Sequence, residues 1–186
     1  MRHFLLALSA TLLLATLAAP VSAQPATSAK PAAAPRTLGW EDLVPPGWDP
    51  MKELGGLDFS TLQDGDPRAQ AMLKKLREVW DAAPGNPGLD GQTVRLPGFV
   101  VPLEEGKDGL REFLLVPYFG ACIHTPPPPA NQIVHVLPRS AAKGLRSMDT
   151  VWVSGTIRLV RTDSVMGSAG YRFDAASIAP YVEKPR

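Results

Sequence analysis

The sequence predicts a mainly β fold with one N-terminal helix: a small, five-stranded, partly open barrel of OB type. Three observations predict it. One stretch, residues 67 to 83, carries apolar side chains at helical spacing. Everything after the breaker cluster Pro84-Gly85-Asn86-Pro87-Gly88 reads as short β-rich segments with turn residues between them. The first of those segments is interrupted by Pro97-Gly98, the kind of bend that small barrels use at their corners. A small β-sandwich is the alternative packing of the same segments.

The chain opens with Arg2, an apolar run from Phe4 to Ala19, and Val21-Ser22-Ala23, which is the pattern of a secretory signal peptide cleaved after Ala23. An uncleaved anchor is the rival reading, but the run is short for a span and ends at Pro20. Residues 24 to 37 are rich in Ala and Pro with no large apolar side chain, so they are expected to form a disordered tether. A single domain, residues 38 to 186, follows: an arm and helix to about 84, then the barrel over about 91 to 182. Trp40 and Trp48 are expected to dock on that domain as packing residues.

Asp66 suits an N-cap and Pro67 the first helical position. Ala69, Met72, Leu73, Leu76, Val79 and Trp80 then recur at helical spacing, so the helix is expected to pack Met72, Leu76 and Trp80 onto the barrel. Strands are expected at about 92 to 103, 111 to 119, 131 to 137, 150 to 161 and 170 to 174, with Gly155 marking a second bend.

Charge excludes more than it suggests. The 186-residue chain has 19 Lys and Arg against 18 Asp and Glu, a net charge of +1, so it shows no basic footprint for nucleic acid or anionic lipid. No second apolar run is long enough to span a bilayer, so no membrane insertion is expected once the signal is removed. The single cysteine, Cys122, cannot form an internal disulfide, which leaves burial, metal ligation or reactivity to explain it.

Chemistry concentrates in Tyr118 to Gln132. Cys122 and His124 are two residues apart, so in extended backbone they would share a face, as a ligand pair or a nucleophile and its base do. Pro126, Pro127, Pro128 and Pro129 stiffen the loop that follows. His135, in the next expected strand with Ile133 on its face and Val134 and Val136 on the other, is the third candidate ligand. Asn131 and Gln132 could orient an imidazole from behind. A thiolate and imidazole set suits zinc, with copper as the alternative.

The segments Gly98-Phe99-Val100-Val101-Pro102-Leu103 and Phe113 to His124, with the four prolines and Asn131-Gln132, resemble the domain of unknown function 3299 family of exported bacterial proteins, from about Trp40 to Tyr181. That resemblance implies a periplasmic location and, for some relatives, company with ABC transporters and zinc homeostasis. The expected function is therefore a non-enzymatic, exported metal-binding or accessory component of an ABC transport system. A thiol-dependent enzyme using Cys122 and His124 is a second reading, weakened by the lack of a carboxylate in the motif. A binding module for a protein or hydrophobic ligand, with the CIHTPPPP loop purely architectural, is the third.

Overall fold

Strand alternation determines which side chains meet in this protein. In the computed structural model, which describes residues 34–55, 67–123 and 127–182, the long strand β2 (Thr93–Gly106) turns Val94, Leu96 and Val100 to one side and Val101 and Leu103 to the other. The first set lies in the main core with Phe113 and Leu115 of β3 (Gly109–Val116). Val134 and Val136 of β4 (Val134–Pro138) join them from the next strand.

In chain order, β1 (Arg36–Thr37) and helices α1 (Pro50–Glu53) and α2 (Pro67–Asp81) precede β2. β5 (Thr150–Arg158), β6 (Thr162–Ser164), β7 (Gly167–Ala169) and β8 (Tyr171–Pro180) follow β4. β2 pairs antiparallel with β5 over Thr93 to Phe99 and with β3 from Phe99 onward, so it passes between two partners at Phe99. β3 pairs antiparallel with β4, β4 parallel with β8, and β8 antiparallel with β5. The ring β2-β3-β4-β8-β5 thus returns to β2, giving a closed five-stranded barrel with the OB-like pairing order, and β1 adds a short parallel strand to β2. Closure removes most free edges, which a small β-sandwich would keep.

The two expected bends differ in kind. Pro97-Gly98 keeps an unbroken ladder with β5 and sits just before the change of partner, while the register shifts of β2 fall between Pro102 and Glu105. Gly155 does mark a bulge: the β5–β8 register shifts there, and a Cβ on Gly155 would lie 2.2 Å from the Asp174 carbonyl oxygen.

The N-terminal arm closes one end of the barrel. Leu38 and Leu43 are buried in the main core, and the Trp40 indole N–H donates to Pro97 O at 2.8 Å. Tyr171, fully buried, donates its hydroxyl to Leu43 O at 2.6 Å and accepts from Asn86 N–H at 2.5 Å. Asn86 in turn donates its side-chain amide to Asp42 O at 2.9 Å. Burial without such partners would cost roughly 1–3 kcal/mol per group, so these bonds let the arm bury its backbone carbonyls.

Three expectations need correction. The tether ends earlier than Thr37, because Arg36 and Thr37 pair with Val94 and Arg95; residues 24–33 lie outside the described residues. Helix α2 forms where the spacing predicts, but Met72, Leu76 and Trp80 are only half-buried and no residue of the helix is buried, so it lies on the rim rather than in the core. Its expected N-cap, Asp66, lies outside the described residues. The last barrel strand runs on to Pro180, and a small hairpin, β6–β7, precedes it.

Candidate functional site

β3 stops at Val116, and Pro117 cannot continue the ladder as a donor. The chain then turns: Ala121 N–H donates to Tyr118 O at 3.4 Å and Ile123 N–H to Gly120 O at 3.3 Å, with Gly120 at φ 85° and Cys122 at φ 65°. A left-handed Cys122 is incompatible with the extended backbone that would place Cys122 and His124 on one face by strand alternation, so that argument for the pair does not hold. His124, Thr125 and Pro126 lie outside the described residues.

The turn lies against the outer wall of the barrel. Val101, Leu114, Val116, Ala121, Ile133 and Ala169 form a second buried cluster there, and Cys122, Met148 and Met166 all pack on it half-buried. The Gly120 N–H donates to Met148 Sδ at 3.1 Å, which ties that thioether to the cysteine's own turn. Burial pushes the Cys122 thiol up to about 11, so it is protonated at neutral pH and is a poor nucleophile there.

His135 is on β4, opposite Leu114 of β3 and Arg172 of β8, and shares the outer face with Ile133, as alternation predicts. Its ring is buried and its Nε2 lies 3.0 Å from Glu112 Oε2, a partner the sequence reading missed although Glu112 stands two residues before Leu114 on the same strand face. Among the described residues, no three His, Cys, Asp or Glu side chains gather closely enough to hold one ion.

The amides of the motif serve the arm. Asn131, fully buried, donates Nδ2 to Pro84 O at 3.0 Å, and Gln132 donates Nε2 to Trp40 O at 2.9 Å. Pro129 begins the short turn Ala130–Gln132 that aims them, with Gln132 N–H donating back to Pro129 O at 2.7 Å; Pro128 is buried and Pro127 lies against Gly167. Among the buried side-chain atoms of the described residues, Asn131 Oδ1 is the one without a partner.

The model of a family described as "Protein of unknown function (DUF3299)" matches residues 40–180. The chain belongs to the DUF3299 family. It is also similar to the crystal structure of a DUF3299 family protein from Pseudomonas aeruginosa, at 36% identity and a TM-score of 0.63, over 82% of this chain and 99% of that one. No curated protein matches.

In this DUF3299 chain the sequence reading also missed a surface beside the cysteine turn. Leu73, Leu76 and Trp80 of α2 face Tyr118, Pro127 and Val165 across a groove of about 610 Å³. Val165, at the tip of the β6–β7 hairpin, is 100% exposed, and the only signal for it was a valine beside Met166-Gly167 in a turn-rich segment.

Proposed function

We propose that the protein is an exported, non-enzymatic component that holds a soft transition metal on the outer wall of its barrel through Cys122 and His124, as an accessory to an ABC transport system. The observation that carries this reading is the sulfur-rich setting of Cys122, with Met148 and Met166 on the same cluster and Met148 Sδ bonded into the same turn. Four-coordinate zinc favours three protein donors, and His135, the candidate third, is turned to Glu112. A thiolate on a cluster that also carries two thioethers suits low-coordinate Cu(I) better, so copper is favoured over zinc. The high thiol pKa weighs against the enzyme reading. Periplasmic export follows from the signal-like residues 1 to 23, and the transporter from family company alone.

Elemental analysis after dialysis against Cu(I) or Zn(II) tests the reading. The wild-type chain should retain about one copper, Cys122→Ser should lose it, and His135→Ala should keep it. Equal retention by Cys122→Ser would overturn the site.

One observation favours a second reading, a binding module for a hydrophobic ligand or partner. The groove beside the turn exposes Leu73, Tyr118 and Val165 together. Leu73→Glu with Val165→Glu should then abolish fluorescence enhancement of anilinonaphthalene sulfonate without altering metal retention; an unchanged signal would remove this reading.

A further inference from the structure

β8 is longer than the strand it runs beside. β4 pairs with it from Val134↔Tyr171 to Pro138↔Ala175, and Arg139 N–H closes that side with a bond to Ala175 O at 3.1 Å. From there to Pro180, β8 has only β5 as a strand neighbour among the described residues.

Tyr181 N–H donates to Thr150 O at 2.9 Å. By the alternation of an antiparallel ladder, Ala179 and Ser177 then also turn their backbone groups toward β5, opposite Trp152 and Ser154. Ile178 must turn its N–H and C=O the other way, and Pro180 adds a carbonyl on that side.

These groups face a cleft of about 580 Å³ whose far wall is the β4–β5 loop, Arg139 to Leu145. The loop is held away from β8 by reciprocal bonds to β3, Leu110 N–H to Ala142 O at 3.0 Å and Ala142 N–H to Leu110 O at 2.8 Å. The open edge, Ala176–Pro180, spans roughly 17 Å of strand. Its side chains leave it accessible, since Ala176, Ser177 and Ala179 are small and exposed.

The charge of the cleft is net positive, two cations against one carboxylate. Arg139 and Lys143 are exposed on its wall, and neither makes an ion pair among the described residues. Asp149 is the acidic residue lining it, and its Oδ2 is taken by Arg146 N–H at 2.8 Å.

We propose that this cleft binds an extended, acidic peptide segment of a partner protein, added to β8 as a further strand. Ile178 N–H and C=O and Pro180 C=O bond its backbone, and Arg139 and Lys143 take its carboxylates. Main-chain bonds to a strand edge supply affinity without regard to sequence, and the two cations supply selection by charge. This site is independent of the metal reading, because it lies on β8 and the β4–β5 loop rather than at the Cys122 turn.

Three peptides test it on the purified, isotope-labelled protein: an alternating glutamate–valine decapeptide, its lysine–valine counterpart, and the glutamate–valine peptide N-methylated at every amide, which blocks both of its edges. The first should bind, shift the Ile178 amide resonance and protect that amide from exchange, and the other two should bind at least about tenfold more weakly. The double variant Arg139→Glu, Lys143→Glu keeps the strand edge and should also weaken the first peptide by about tenfold or more. The proposal is overturned if the N-methylated or lysine peptide binds as well as the first, or if no peptide binds and the Ile178 amide stays unprotected. It is also overturned if Ile178 becomes protected with rising protein concentration alone, which would make a second copy the occupant.

Discussion

At the scale of single residues, Cys122 carries the most consequence. Its thiol ionises near 9.0 when the chain unfolds and at about 11 when folded, because burial disfavours the thiolate. A raised folded pKa gives stability that is full below pH 9 and is lost as pH rises toward 11. Tyr171 acts in the same direction, raised from 10.0 to about 12 by burial. Urea unfolding should therefore show stability falling above pH 9, less steeply in Cys122→Ser. Stability that does not fall between pH 9 and pH 11 would show the thiol to be solvated. The same shift links to the proposed metal, since binding must displace the thiol proton. Apparent Cu(I) affinity should rise about tenfold per pH unit below pH 11, and a pH-independent affinity would mean that Cys122 is not a ligand. Tyr171 allows a sharper structural test: Tyr171→Phe removes the hydroxyl shared by Asn86 N–H and Leu43 O and leaves them only their mutual bond at 3.2 Å, so it should cost about 0.5–1.5 kcal/mol in urea unfolding. A loss within error would mean that the bond between Asn86 N–H and Leu43 O satisfies both groups without the hydroxyl.

At the scale of elements, periodicity reported the faces and not what covers them. The spacing of Met72, Leu76 and Trp80 made a helix legible, yet a 3.6-residue stripe looks the same whether a core or a groove lies opposite. Leu76→Ala should accordingly cost less than about 2 kcal/mol, whereas Phe113→Ala, fully buried in the barrel, should cost about 3–5 kcal/mol. Comparable losses in thermal unfolding would return the helix to the core. Alternation succeeded at His135, where β4 is a regular strand, and failed at Cys122, where Pro117 ends the ladder and Gly120 allows a turn that short-range pattern cannot distinguish from extended chain. Asn131 and Gln132 read as polar neighbours of a histidine, but their donors serve carbonyls 47 and 92 residues away, a relation no local motif encodes.

At the scale of the whole molecule, the barrel was legible because its cause is local: short strands with turns between them, and a glycine or proline wherever a strand must bend. The pairing order was not, since parallel β4 and β8 meet only after β5 and the β6–β7 hairpin have intervened, and that hairpin is too short to carry a period. Gly155 is where local signal and global closure coincide. It lies on the β5–β8 seam, opposite Ala175 at the register shift, and a Cβ there would sit 2.2 Å from Asp174 O and 2.9 Å from Ala176 N, both backbone atoms that cannot swing aside. Gly155→Val must therefore part the seam that closes the ring, at an overpacking cost of at least about 1–3 kcal/mol, together with the loss of bonds along β8. Gly47→Ala is the matched control, because Gly47 has φ +83° with nothing within 4 Å, so its cost is backbone strain alone, about 1–2 kcal/mol. Amide exchange along β8 separates the two: Gly155→Val should open the β5-facing amides of Ser177, Ala179 and Tyr181 while leaving β3 protected, and Gly47→Ala should leave both protected. Uniform exchange across β3 and β8 in Gly155→Val would mean that the barrel opens as one unit rather than at this seam.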